Sequence, residues 1–420
     1  MRERVILHCD LNNFYASVEC VLHPELKGLP IAVCGDPEKR HGIVLAKNNL
    51  AKAAGVKTAE AIWQAKRKCP ELVVVPPTYS EYVKYSKLVK NIYLSYTSEV
   101  ESFGLDECWL DVTGSGKLFG TGMEIAESIR KRVKEETGGL TVSIGVSFNK
   151  IFAKLGSDLK KPDAITEINR LNYKEVVWRL NVGEMLYIGG ATAEKLRTLG
   201  ISSIGELASA NPSMIERHFG KNGLKMLENA RGENSEPVKS YYDKSLPESV
   251  GHGMTTPEDV RSVKEAEKVI YALSEMTAFR LRSYSLKGST VSVDLRSSDL
   301  KHLTRQGKTP SVTDSADMIA ETAIGLMNAS YNFKTMSPLR TITISVSKLY
   351  SSGDLIQGSL FDEDDSKNSK LDKSIDNLRT RFGFGVVKRG VNLDNENSPK
   401  TDDDDFLPFD RRGGRPDDKE

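Results

Sequence analysis

The amino-acid sequence predicts a multidomain α/β (α+β) protein, and three observations predict it. With 420 residues the chain is too long for one ordinary core, since domains run to ~100–200 residues each. Residues 1–165 alternate short β-branched runs with longer amphipathic ones in the order β-α-β-β-α-β, the split arrangement of a ferredoxin-like domain. From Ser351 the chain turns to Ser, Gly, Asp, Asn and Lys, a composition too polar to build a core.

Strands are expected at residues 5–10, 100–103, 108–112 and 141–146, where β-branched side chains cluster. Between the first two, Tyr82, Tyr85, Val89 and Ile92 mark a helix; between the last two, Met123, Ala126, Ile129 and Val133 mark another. Residues 14–77 interrupt this order as an inserted subdomain, with strands at 31–34 and 72–75, helices at 48–54 and 60–68, and a closing Pro76-Pro77 break. The first domain, 1–13 with 78–165, is followed by an all-helical domain at 166–235 with helices at 186–199 and 204–210. A polar linker, 236–246, leads to a third unit at 247–350, with helices at 265–282 and 315–328 and strands at 290–295 and 341–346. The tail, 351–420, is expected to be disordered and flexible over most of its length.

The hydrophobic share of 39% is ordinary, and no run approaches the roughly 20 apolar residues of a membrane span. Met1-Arg2-Glu3-Arg4, followed at once by strand residues, lacks the apolar core of an export signal, so a cytoplasmic protein off the membrane is expected. Cys9, Cys20, Cys34, Cys69 and Cys108 are odd in number and include no Cys-x-x-Cys pair, which points to reduced packing residues rather than disulfides or zinc ligands. The formal net charge of +1 conceals an acidic excess in residues 361–420 and a basic remainder.

In a ferredoxin-like sheet the first and third strands are antiparallel neighbours, so the end of the first lies beside the hairpin joining the second and third. Asp10 ends the first strand, and Asp106 and Glu107 sit in that hairpin. The three carboxylates are expected to converge on one sheet edge as a site for two hard cations. Magnesium prefers carboxylate oxygens and keeps room for water and phosphates. Two such ions about 3.5–4 Å apart can activate a hydroxyl and stabilise the leaving oxygen in phosphoryl transfer. The plain alternative makes Asp10 a helix cap and Asp106 a turn residue; the expected convergence favours the metal site.

The residues around these acids, 8–19 (HCDLNNFYASVE), 104–111 (GLDECWLD) and 143–162 (SIGVSFNKIFAKLGSDLKKP), resemble the Y-family, lesion-bypass DNA polymerases of the bacterial DNA polymerase IV and UmuC type. The resemblance covers about residues 1–350. It implies a palm (1–13 and 78–165), inserted fingers (14–77), a helical thumb (166–235) and a little finger (247–350), acting as a monomer. It implies that Asp10, Asp106 and Glu107, with the backbone carbonyl of Leu11, hold two Mg2+ ions, for which Mn2+ can substitute. Tyr15, beside Phe14, matches the aromatic gate that rejects a ribonucleotide 2′-hydroxyl, and Lys161 matches a triphosphate-contacting lysine. Primer-template DNA and deoxynucleoside triphosphates are the implied substrates, and low-fidelity translesion synthesis in DNA repair, of the SOS mutator kind, is the implied activity. Asn49 and Lys52 stand where the family usually carries a tyrosine and an arginine on the incoming triphosphate; Lys52 keeps the charge but not the planar fork.

Residues 188–201 (IGGATAEKLRTLGI) are similar to a helix-hairpin-helix element, which grips DNA phosphate through backbone N–H groups at Gly189 and Gly190. Tyr187 stands where a first glycine is common, and an ordinary αα-hairpin is the alternative. Residues 278–310 hold Arg280, Arg282, Lys287, Arg296, Lys301, Arg305 and Lys308 against Asp294 and Asp299. They suggest either a basic sheet face along DNA phosphates, as in the family's little finger, or a merely solvated charged face. Gln357, Leu360 and Phe361, in QGSLF, resemble the short peptide by which bacterial polymerases dock on the sliding clamp. Two rivals stay open. A two-metal nuclease has no use for Tyr15 or Lys161, and a non-catalytic clamp- or DNA-bound regulator, its pocket weakened at Asn49 and Lys52, has no need of the three acids.

Overall fold

The computed structural model describes residues 3–36, 42–243, 246–351, 366–387 and 389–390; Gln357, Leu360 and Phe361 lie outside them. The described chain divides into two compact units, one made of residues 3–34 and 44–243, the other beginning at 246. No helix among the described residues is long and apolar enough to cross a membrane, and the five cysteines are free thiols.

Strand β1 (Ile6–Leu11) is buried at every position because both faces of its sheet are covered. Helix α1 (Phe14–Leu22) then leads into the inserted subdomain. Its three strands, β2 (Ile31–Cys34), β3 (Val44–Lys47) and β4 (Val73–Val75), pair in the order β3-β2-β4 beside α2 (Asn49–Ala53) and α3 (Ile62–Lys68). The chain returns through α4 (Tyr79–Leu94), β5 (Val100–Ser102), β6 (Glu107–Asp111), α5 (Gly116–Phe119), α6 (Gly122–Glu136), β7 (Val142–Ser147) and α7 (Lys150–Leu159). The main sheet runs β5-β6-β1-β7 with antiparallel pairs, as the ferredoxin-like order requires. A fifth strand, β8 (Ile165–Ile168), adds parallel to β7 and crosses the boundary expected at 165.

Helix α7 lies against β7 so closely that a Cβ on Gly145 would stand 1.9 Å from the Ala153 carbonyl oxygen; only glycine permits that approach. The other side of α7 belongs to the helical subdomain of α8 (Tyr173–Val176), α9 (Gly190–Thr198), α10 (Ile204–Ser209) and α11 (Pro212–Arg231). Ile151, Phe152 and Leu155 share its core with Leu196, Ile204, Leu207 and Ile215. The start of the polar linker is tied to the first unit. Val238 is buried beside Ile6, Trp109 and Ala153, and the Lys239 and Tyr241 N–H groups donate to Glu101 Oε2 and the Ser98 carbonyl. Lys150, buried over the Trp109 ring, pairs with Glu101 at 2.8 Å and with Glu236 at 3.4 Å.

The second unit is an antiparallel sheet of β9 (Ser249–Val260), β10 (Leu286–Ser297), β11 (His302–Thr313) and β12 (Leu339–Ser351), ordered β11-β10-β12-β9. Helices α12 (Val263–Ser283) and α13 (Ala316–Ser330) cover one face with a single apolar core. Within the tail, α14 (Ser366–Phe382) is a formed helix joined to α12 by ion pairs. Its contacts are charged rather than apolar, which is why composition concealed it. Arg282 pairs with Asp372 and Asp376, and Arg379 with Glu275.

Candidate active site

Strand register brings the acids together. Asp10 stands opposite Glu107 across β1 and β6, and the Leu11 N–H donates to the Asp106 carbonyl at 3.0 Å. The turn carrying Asp106 needs Gly104 at φ +102°. From behind, α4 pins it: the Ser86 hydroxyl donates to the Leu105 carbonyl, and Lys90 reaches the Gly104 carbonyl.

Two lysines of the β7–β8 crossover meet these carboxylates. Lys154 Nζ lies 3.1 Å from Asp10 and 2.8 Å from Glu107, while Lys161 Nζ lies 2.6 Å from Asp10 and 2.7 Å from Asp158. Asn12 staples the loop after Lys161 to the sheet: its Oδ1 accepts from the Asp163 N–H and the Thr141 hydroxyl, and its Nδ2 donates to Ser143. His8 lies fully buried between Ser157, 2.8 Å from Nδ1, and Glu107, 3.2 Å from Nε2. Burial, then the Lys154 charge, pushes His8 down to about 3, so it is neutral near pH 7.

The carboxylates are crowded. Burial, then the charges of Asp10 and Glu107, pushes Asp106 up to about 6. Burial raises Asp10 as well, against the pull of Lys154. Glu107 Oε2 is buried and close to both Lys154 and His8, yet neither N–H aligns on it as a hydrogen bond. Among the described residues no three acidic, histidine or cysteine side chains close into a ready-made ion cage; two ammonium groups stand among the carboxylates instead. The donor set still fits a hard cation, being all oxygen, short of positive charge at Asp106 and carrying an oxygen without an aligned donor.

Tyr15 is half-buried in the first turn of α1, and its phenol is pushed up to about 12 by burial and then by Asp106, which places the ring beside the carboxylates. Phe14 is buried behind it. Asn49 joins this side, accepting from Asn13 Nδ2 at 3.0 Å. Lys52 is exposed on α2, near enough to Lys47 to add to the burial that pulls Lys47 down. The sequence reading did not single out Lys154, Asn12 or His8 as site residues. Lys161 lies beyond the end of α7 at Leu159, so no helical spacing ties Lys154 to it in the sequence.

The DNA-facing expectations divide. Gly189 caps α9 and Gly190 opens it, and open space surrounds both. Tyr187, where a glycine is common, holds φ +72°, the backbone that glycine would supply. In the second unit, Arg280 and Arg282 are not on the sheet at all: both lie on α12, where Arg280 donates to the Gly251 carbonyl and Arg282 is taken up by α14. Arg305 sits exposed on the edge strand, opposite core-facing Val293. The uncovered sheet face, read from register, carries Arg296, Lys308, His302 and Asp294 among Thr290, Ser292, Thr304, Gln306, Thr341, Thr343 and Ser345, with Gly251 and Gly253 on the far strand. It is a hydroxyl surface with few cations rather than a basic one.

Comparison with known proteins agrees with this geometry. Residues 9–158 match the impB/mucB/samB family and residues 247–360 its C-terminal domain. The chain is similar to DNA polymerase IV of Acetivibrio thermocellus, 47% identical over 93% of this chain and 98% of that one. It is also similar to DNA polymerase IV 2 of Bacillus subtilis, 38% identical over 94% and 95%. Among solved structures a Y-family DNA polymerase chimera superposes with a TM-score of 0.74 at 27% identity, covering 83% of this chain and 99% of the chimera.

Proposed function

The chain belongs to the impB/mucB/samB family of Y-family translesion DNA polymerases, of the DNA polymerase IV type, and from that premise we propose which of its residues carry the reaction. Asp10, Asp106 and Glu107, with the Leu11 carbonyl, are the ligands for two Mg2+ ions. When bound, such ions lower the pKa of a primer 3′-hydroxyl and offset charge on the transferring phosphate. Lys161 leaves Asp10 for the triphosphate of the incoming deoxynucleotide, Lys154 stays with the carboxylates, and Asn49 and Lys52 approach the phosphates from the fingers. Tyr15 meets the sugar and excludes a 2′-hydroxyl.

The observation that carries this reading is the β1–β6 register, which sets Asp10 against Glu107 with Asp106 pushed up to about 6 beside them. Primer extension with Mg2+ or Mn2+, beside the Asp106→Ala variant, tests it. Extension by the native chain and none by the variant is expected; extension by both would remove Asp106 from the machinery.

For DNA, the open N-terminus of α9 at Gly189 and Gly190 and the hydroxyl sheet face with Arg296 and Lys308 are the surfaces offered to phosphates, and Arg305 flanks the second. Arg280 and Arg282 are withdrawn from that role, being engaged with Gly251 and α14. Gln357, Leu360 and Phe361 are proposed as the sliding-clamp peptide on sequence alone. Loss of clamp binding in a Leu360→Ala, Phe361→Ala double variant is the expected result of a pull-down.

A further inference from the structure

The gate ring does not stand alone. Tyr15 lies face to face on Tyr82, with ring centroids 4.2 Å apart and planes 9° from parallel. Tyr79 meets both rings edge-on, at 6.1 Å and 5.8 Å, and Phe14 closes a further side at 5.7 Å from Tyr15. Tyr82 is fully buried on α4, and its hydroxyl donates to Glu19 Oε1 at 2.5 Å. Glu19 is a carboxylate only 1% exposed, and neither metal nor nucleotide chemistry calls for it. It sits four residues after Tyr15 on α1, so both side chains leave the same face of one helix. Tyr15, Tyr82 and Glu19 thereby form a closed loop: a ring stack, a hydrogen bond and one helical turn.

Burying a carboxylate is costly unless it secures something. A gate that works by steric exclusion is only as selective as its ring is immobile, because a ring free to change rotamer yields to the extra hydroxyl. We propose that Tyr82, locked by Glu19, is a positioning residue for sugar selection: it backs the Tyr15 ring across its whole face so that a 2′-hydroxyl cannot displace it. Tyr79 braces the same pair from the edge. The inference rests on the reading of Tyr15 as the gate.

Single-nucleotide incorporation on a primed template, with the matched deoxynucleotide and its ribonucleotide, tests it through the ratio of the two kcat/KM values. Tyr82→Leu is expected to lower that ratio about tenfold, the worth of one well-formed aromatic pair, through a gain with the ribonucleotide. Glu19→Gln, which keeps an acceptor for the Tyr82 hydroxyl, is expected to retain most of the discrimination, whereas Tyr82→Phe and Glu19→Leu, which both delete that hydrogen bond, are expected to lose part of it. Tyr79→Leu, at a half-buried position less costly to folding, is expected to shift the ratio in the same direction by less, so the test survives a poorly folded Tyr82→Leu. Equal losses with both sugars, or an unchanged ratio in Tyr82→Leu and Tyr79→Leu, would overturn the brace. Tyr15→Ala is the control: a collapse of its ratio beside unmoved Tyr82 and Tyr79 variants refutes the brace alone, and an unmoved Tyr15→Ala refutes the gate and the brace with it.

Discussion

In the first unit the cations that meet the buried acids are lysines; in the second they are arginines. Lys154 and Lys161 reach Asp10, Glu107 and Asp158 as point charges. Arg282 instead places Nε and Nη2 on the two oxygens of Asp376, at 2.6 Å and 2.8 Å, and Arg379 and Arg389 close on Glu275. A guanidinium fork fixes a geometry, whereas an ammonium on a flexible stem can be redirected. The palm cluster is also buried and crowded with carboxylates, and both push Asp106 up. One cluster is held by redirectable point charges, the other by fixed forks. Removing a member should therefore have opposite consequences for stability in the two places.

The largest effect is expected in the second unit. Arg379 and Glu275 are 4% and 11% exposed at the side chain, and removing one partner of such a pair strands the other. Arg379→Ala should lower stability by about 3 kcal/mol, the low end for a broken buried pair because Arg389 remains. Denaturant unfolding measures it; a change under about 1 kcal/mol would place this seam with surface pairs and break the contrast.

In the palm the sign reverses. Asp106 is raised from an ordinary carboxylate value to about 6, so the folded state binds its proton more tightly than the unfolded chain does. Between about pH 4 and 6 the folded protein therefore loses stability as pH rises, and above that window the loss is complete. Asp106→Asn should make the chelator-treated protein about 2 kcal/mol more stable at pH 7.5, with the gain shrinking as pH falls towards 4. Thermal melts across that range check both sign and window. The same substitution should abolish extension, the familiar opposition of stability and function at an active site.

Lys161 comes next. If it is a movable counter-ion that leaves Asp10 for a triphosphate, Lys161→Ala should lower kcat/KM for the nucleotide about 30-fold, or ~2 kcal/mol for one charge-assisted contact. Primer-template affinity should hold. Equal losses in nucleotide and DNA binding would mean that the lysine serves the fold of the palm.

What the sequence made legible follows the same division. The convergence of Asp10, Asp106 and Glu107 could be read because strand pairing fixes it: once β1 and β6 are antiparallel neighbours, register does the rest. Strands β9 and β11 were missed because Gly251, Gly253, Pro257 and a run of Thr, Arg, Gln and Lys carry no apolar alternation, and both strands lie at sheet edges. Lys150 and Lys154 stand one helical turn apart on α7, yet one goes to Glu101 and Trp109 and the other to Asp10. A long stem at the end of a helix can reach either way. Arg280 and Arg282 were counted as sheet cations because charge composition does not say which element a cation belongs to. The bracing of Tyr15 by Tyr82 and Glu19 joins α1 to α4 across 63 residues, a distance at which helical spacing carries no information.

The smallest effect isolates the geometry itself. Arg282→Lys keeps the charge beside Asp372 and Asp376 but gives up the two-point contact and the bond from Nη1 to the Asp314 carbonyl at 2.8 Å. If forks are what hold α14 to α12, the substitution should cost about 1 kcal/mol. It should also speed amide exchange in α14 while leaving nucleotide incorporation alone. If it costs nothing, charge alone suffices in the second unit, and the choice of arginine there and lysine at Asp10 has no mechanical meaning. A measurable cost paired with faster exchange would tie the difference between the clusters to the shape of the cation rather than its charge.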